Sequence, residues 1–269
     1  MNGGKWVISI APPYHEVFSV QEIEITKLSS RGWRDSKSGK TKIAFFSRLS
    51  TRQIERIDKF REDYKRMVLI SLNRTIRDAF TDELDACLAL DYTMASTEHG
   101  DRTEIGQLEY EAKYKGSNEA FDHLVRELYN GLRRLPTKLD EEELWISHVP
   151  ADPNSEPPLS TKLARALVNC SIQRGPWESV RLVESALTCK KRKTKDLKSK
   201  QKLAMWQRFV KKGQIELHCS VEGRQVVVVD DLYQSGATLW SYAQFLKQVG
   251  AREVLGLVCT KSWTDTDNR

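Results

Sequence analysis

Four consecutive valines, Val226 to Val229, run without a break into the pair Asp230-Asp231, and shortly afterwards the chain turns small and hydroxyl-rich at Ser235-Gly236-Ala237-Thr238. No other stretch restricts the fold as much. A strand without polar alternation has to be covered on both faces, which is the situation of a parallel strand flanked by helices. Such strands present ligands at their carboxyl ends, and the two acids stand at that end. The turn then opens an amphipathic helix whose apolar positions Leu239, Phe245, Leu246 and Val249 stop at Gly250, a left-handed cap.

The first turn of a helix points unpaired N–H groups outward. A glycine lets the backbone close on a phosphate, and the hydroxyls of Ser235 and Thr238 add donors. Carboxylates just before such a cradle suit a ribose 5-phosphate: Asp230 and Asp231 receive the 2- and 3-hydroxyls, and Gln234, Ser235, Gly236, Ala237 and Thr238 hold the 5-phosphate. A buried strand ending in a solvated Asp-Asp turn is the plainer alternative, but it does not require Ser-Gly-Ala-Thr at that offset. The run resembles the signature for phosphoribosyl pyrophosphate (PRPP) in type I phosphoribosyltransferases: hydrophobic residues, two acids, a threonine-glycine turn and a further threonine. The resemblance implies PRPP or a nucleotide as ligand, Asp230 and Asp231 as catalytic residues, and Mg2+ bound with PRPP beside the same two acids.

Strand candidates at Leu144–Val149, Val180–Val183, Gln214–Cys219 and Val254–Cys259 alternate with helical patterns such as Ser160–Cys170. This predicts an α/β fold with a mainly parallel sheet flanked by helices and right-handed crossovers. The N-terminal part reads differently. Short β candidates at Trp6–Ile10, Glu22–Thr26 and Lys42–Phe46 lead into a helix opened by Ser50 and Gln53 in capping-box spacing. A second helical piece is expected over Leu72–Leu90. The division that follows is an α+β extension over residues 1–87 and a phosphoribosyltransferase-like domain over 88–269. Ser38-Gly39-Lys40-Thr41 looks like the end of a Walker loop, but Arg34 stands where its first glycine belongs, so a hairpin turn is the reading.

Charge is concentrated. Lys190–Lys212 holds eleven Lys or Arg and one acid, Asp196, a net +10 in a chain of net +6, so the remainder is −4. Such a patch points to a polyanion at one place. Lys190, Lys191, Arg192 and Lys193 are candidates to fold over a pyrophosphate, with a solvated segment as the alternative. With Trp206 in the same stretch, a nucleic-acid or protein partner through residues 190–212 and the N-terminal region is a further candidate. The five cysteines show no pairing or zinc-finger spacing and are expected reduced, with Cys219 and Cys259 packed on strands. No apolar run reaches membrane length and the N-terminus lacks a signal-peptide pattern. The expectation is a cytoplasmic protein without a membrane partner, and a homo-oligomer is left open.

Further pieces resemble the competence-associated, ComF-type branch of the family. Lys113-Tyr114-Lys115-Gly116 looks like its Lys-Tyr-x-Gly element, Val149-Pro150 like its strand end, and Leu163–Leu167 like the helix after it. The resemblance covers roughly residues 88–262 and implies that the loop after Pro150, with Asp152, Asn154 and Ser155, cradles pyrophosphate. It also implies an acceptor-specific hood built from N-terminal pieces. The departures are as informative. The four-cysteine zinc ribbon of that branch is missing, and the loop after Pro150 is acidic and proline-rich. Gln234 stands where purine-salvage members carry a carboxylate base, and glutamine cannot take a proton. The implied reaction is displacement of pyrophosphate from C1 by a nitrogen nucleophile. Its rivals are a PRPP- or nucleotide-sensing module without catalysis and a nucleic-acid-associated component of a bacterial DNA-uptake or defence system. His148 reads as a packed strand histidine rather than a base.

Overall fold

The computed structural model describes residues 6–70, 84–97, 100–152, 154–190, 197 and 199–263. The chain divides into two compact units, Met1–Ser71 and Leu72–Arg269.

The first unit comprises β1 (Trp6–Ile10), α1 (Pro12–Gln21), α2 (Ile23–Lys27), β2 (Arg34–Asp35), β3 (Lys42–Phe46), α3 (Thr51–Asp63) and β4 (Val68–Leu69). The antiparallel order β1-β3-β2 presents Ala44 and Phe46 to a small aromatic core with Phe18 and Phe60. The rings of Phe18 and Phe60 meet edge to face at 5.0 Å. The expected strand over Glu22–Thr26 is instead helix α2. Its period-2 pattern would place Ile23 and Ile25 on one face, yet Ile25 is fully buried while Ile23 is half exposed. Helical spacing separates the two side chains in this way. At α3 the capping box is present in full. Ser50 Oγ accepts from the Gln53 N–H at 3.3 Å, and Gln53 Oε1 accepts from the Ser50 N–H at 2.8 Å. Ser50→Ala removes one half of it and is expected to cost about 1 kcal/mol, read as a lower urea midpoint for this unit. An unchanged midpoint would mean that the box contributes nothing.

The second unit comprises β5 (Ala86–Tyr92), α4 (Glu104–Tyr114), α5 (Asn118–Leu132), β6 (Glu143–His148), α6 (Leu159–Arg174), β7 (Ser179–Val183), β8 (Ser185–Leu187), α7 (Ser199–Lys211), β9 (Ile215–Leu217), β10 (Gln225–Tyr233), α8 (Ala237–Gln248) and β11 (Glu253–Lys261). Its sheet runs β5-β11-β10-β6-β7 with every one of these pairs parallel; β8 and β9 form a separate antiparallel pair. The α/β class with a mainly parallel sheet is therefore as the sequence predicts. Position 87 lies inside β5. Of the helix expected over Leu72–Leu90, residues 72–83 lie outside the described residues, and Ala86–Leu90 belongs to β5. Cys87 to Leu90 are all buried, and a short apolar run covered on both faces has no period to tell strand from helix.

Helices cover both faces of the sheet. Adjacent residues of a strand point to opposite sides. Ser147 bonds Tyr242 of α8 at 2.8 Å, while His148 bonds Thr161 of α6 at 3.2 Å. α6 and α8 therefore lie on opposite faces, with α5 packed beside α6 and α7 beside α8. Val226 to Val229 are fully buried between them, each contributing about 1.5–3 kcal/mol through its side chain. All five cysteines are free. Cys259 is buried on β11, where burial pushes its thiol up. Cys219, expected on a strand, lies past the end of β9 and is exposed.

Candidate functional site

β10 outruns one of its neighbours. Its pairing with β6 ends at Val229 opposite His148, whereas its pairing with β11 continues to Tyr233 opposite Lys261. Past Val229 the strand has an open side, and there the chain leaves β6 through Val149-Pro150. The crevice holds a cavity of about 860 Å3. Asp230, Asp231 and all of Gln234 to Thr238 line it, together with Asp152, Ser155 and Lys190. Asn154 is not on its wall, and Lys191, Arg192 and Lys193 lie outside the described residues.

The acid pair is electrostatically asymmetric. Asp231 Oδ2 lies 2.6 Å from Lys113 Nζ at the end of α4. Lys113 also lies 3.7 Å from Glu109 Oε1, and Glu109 Oε2 accepts from the Thr260 hydroxyl at 2.6 Å. Burial alone would lower the Lys113 ammonium, but Asp231 and Glu109 outweigh it and hold the group above its ordinary range. Burial raises the Glu109 carboxyl above the usual range. Asp230 is held well above it, by desolvation first and by the charge of Asp231 second. One carboxylate is thus paired with a cation, and its neighbour is disposed to hold a proton or to accept a cationic or hydrogen-bonding partner. Lys113 was not among the expected site residues. The signal was there in Lys113-Tyr114-Lys115-Gly116, where Gly116, at φ +65°, turns the chain from α4 into α5.

At the other end, Gly236 takes φ +74° as the N-cap of α8 and turns the chain from Tyr233 into the helix. Ser235 is buried and Thr238 half-buried on the cavity wall. α7 braces this turn from behind. The buried Lys202 donates to Gln234 Oε1 at 3.0 Å, and Trp206 Nε1 donates to Thr238 Oγ1 at 3.0 Å. Trp206 is fully buried, which removes it from the exposed nucleic-acid surface expected over 190–212. Leu203 and Phe209 on the same face of α7 are buried as well. Lys200, Arg208, Lys211 and Lys212 remain exposed. Neither Lys202 nor Trp206 was singled out as a site residue; both reach the turn through packing of α7 on α8.

His148 is a packed strand residue. It is 1 % exposed, and Nε2 meets Glu184 Oε2 at 2.9 Å, with Arg165 on the other oxygen of that carboxylate. The loop after β6 closes on itself around Asp152. The Asn154 N–H donates to Asp152 Oδ1 at 3.0 Å, and the Ser155 N–H and hydroxyl donate to the Asp152 carbonyl at 3.2 and 3.0 Å. Among the described residues no group of three or more His, Cys, Asp or Glu is arranged to hold a metal ion, and no helix is long and apolar enough to cross a membrane.

No family model matches the chain, and no curated protein matches it either. Solved structures that resemble it include phosphoribosyltransferases. A hypoxanthine-guanine phosphoribosyltransferase from Bacillus anthracis is 16% identical, with 53% of this chain and 66% of that chain covered and a TM-score of 0.33. A hypoxanthine phosphoribosyltransferase from Staphylococcus aureus is 13% identical, with 56% and 69% covered and a TM-score of 0.35. The hypoxanthine phosphoribosyltransferase of Trypanosoma cruzi in complex with the product IMP is 15% identical, with 52% and 63% covered and a TM-score of 0.31. The matched part thus spans just under two thirds of the Bacillus anthracis chain, and values this low say nothing about activity.

Proposed function

We propose that this protein holds a ribose 5-phosphate ligand, PRPP or a 5′-nucleotide, in the manner of the type I phosphoribosyltransferases and closest in its motifs to their ComF-type branch. The observation that carries the reading is one cavity in which the β10 acids and the glycine turn opening α8 stand a few residues apart. The turn offers Ser235, Thr238 and free α8 amides to the 5-phosphate. Asp231, oriented by Lys113, and Asp230 receive the ribose hydroxyls.

With PRPP, the reaction such a site supports is transfer to a nitrogen acceptor. The C1–N bond forms as the bond from C1 to the diphosphate oxygen breaks, pyrophosphate leaves with the electron pair, and the acceptor nitrogen loses its proton to solvent. The protein's part is positioning and charge stabilisation. Mg2+ would neutralise the leaving diphosphate and take most of its ligands from phosphate and water oxygens. Asp230 and Asp231 suit an ion that arrives with the ligand rather than a resident one, and Asp231 is already engaged by Lys113.

A second reading, binding without catalysis, is favoured by Gln234. That residue is no proton acceptor, and its amide oxygen is occupied by Lys202. Calorimetry with PRPP and with 5′-nucleotides in the presence of Mg2+, followed by a pyrophosphate-release assay with ammonia and free bases, tests both. Asp231→Asn is expected to weaken binding roughly tenfold. Binding unaffected by that change would remove the acid pair from the site. Binding without any pyrophosphate release would leave the sensing reading standing.

A further inference from the structure

Two hydroxyls in the first half of α8 are used differently. Ser241 donates to the Ala237 carbonyl at 2.7 Å, the bond to the preceding turn that a serine or threonine within a helix commonly makes. Thr238 makes no such bond among the described residues. Its Oγ1 instead accepts from Trp206 Nε1 at 3.0 Å. An indole N–H can only donate, whereas a threonine hydroxyl accepts and donates at once. The Thr238 proton therefore points away from the indole and is left for another acceptor. Thr238 lies on the cavity wall, and Trp206, fully buried, reaches it from α7.

From this arrangement we infer that Trp206 is a positioning residue of the phosphate cradle: its N–H fixes Oγ1 and makes the Thr238 hydroxyl a dedicated donor to an anionic oxygen of the ligand. The inference rests on the ribose-phosphate reading of the site and adds to it a residue that touches no ligand. The chain of bonds runs from indole to hydroxyl to phosphate. Each donor polarises the next, so the indole and the ligand oxygen strengthen each other's bond to Thr238. Packing alone does not call for the indole nitrogen. Leu203 and Phe209 fill the same buried face of α7 without a polar atom, whereas a buried tryptophan has to find its N–H a partner.

The test is a double-mutant cycle on the full chain, read by calorimetry with PRPP, AMP and GMP at one fixed Mg2+ concentration and continued with whichever binds wild type most tightly. Thr238→Val removes the hydroxyl and is expected to weaken binding roughly tenfold. Trp206→Phe keeps an aromatic ring, removes the N–H and is expected to weaken binding roughly three- to fivefold. In the Thr238→Val background the same change is expected to have no further effect, because its route to the ligand is gone. A loss that persists there reports a displaced turn rather than an aimed hydroxyl and overturns the inference, as does wild-type affinity in either single variant. A second measurement leaves position 206 intact. In a proton–nitrogen correlation spectrum, saturating ligand is expected to move the Trp206 indole signal downfield in wild type and to leave it in place in Thr238→Val. Equal movement in both, or movement in neither, overturns the inference. Each of these results leaves the ribose-phosphate reading standing, whereas failure of all three ligands to bind wild type overturns that reading and this inference with it.

Discussion

Lys113→Met is expected to destabilise the second unit by about 3 kcal/mol at pH 7 and to weaken ribose-phosphate binding roughly tenfold. The reason is the company that the ammonium keeps. It is the cation between Asp231, at 2.6 Å, and Glu109, at 3.7 Å, and Asp230 adjoins Asp231 along β10. Methionine keeps most of the apolar stem and removes only the charge, so the loss reports electrostatics rather than packing. Asp231 loses its cation, and the pair presents the ribose hydroxyls with a different proton count.

The pH dependence makes this specific. Burial raises the Glu109 and Asp230 carboxyls above their unfolded values. A group raised in this sense binds its proton more tightly when folded. Its contribution to stability is fully present below the unfolded pKa and is lost as pH rises through the folded pKa. Without Lys113 both folded values climb further and the loss reaches to higher pH. The stability gap between variant and wild type is therefore widest near neutrality and narrows toward about pH 5. Urea unfolding at several pH values reads it directly. A gap independent of pH would mean that Lys113 acts by packing alone.

The elements legible from sequence are those whose signals are local. Val226 to Val229, the acids after them and the glycine that starts α8 all lie within one short stretch, and each residue type is demanded by its own backbone or solvent environment. Ser50 and Gln53 were legible for the same reason, since a capping box is written within one turn. What was misread lacked a local discriminant. Glu22–Thr26 alternates like a strand but is too short for its period to outweigh the burial of Ile25 by its neighbours, and Ala86–Leu90 has no polar residue to show a period at all. The parts of the site that sequence did not disclose are tertiary. Lys113 reaches Asp231 from a helix far earlier in the chain, and Lys202 and Trp206 reach the turn because α7 lies on α8. Among its described residues, the charged run thus contains a buried lysine, Lys202, and a buried tryptophan, Trp206, that brace the turn into α8.

Gly236→Val is expected to abolish measurable ribose-phosphate binding and to lower stability by about 2–5 kcal/mol. Two independent costs meet at this residue. Its φ of +74° lies in the left-handed region, which a β-branched side chain adopts at about 1–2 kcal/mol. A Cβ there would come within 2.5 Å of the Tyr233 hydroxyl, 2.8 Å of Tyr233 Cζ and 2.9 Å of Trp240 Cε2. Those atoms belong to side chains that are each 4 % exposed, so neither ring can swing into solvent, and overpacking adds about 1–3 kcal/mol. The relief available is for the turn to move, and that displaces the α8 amides and the Ser235 and Thr238 hydroxyls together. Gly213, just past the end of α7, separates the two costs. It has φ +60°, and a Cβ there would meet nothing within 4 Å, so Gly213→Val carries the conformational cost alone, about 1–2 kcal/mol, and leaves binding intact. Urea unfolding and nucleotide calorimetry on the two variants give the comparison. If Gly236→Val binds like wild type, the turn into α8 is not a phosphate cradle, and the acid pair of β10 would have to be explained without a ribose phosphate.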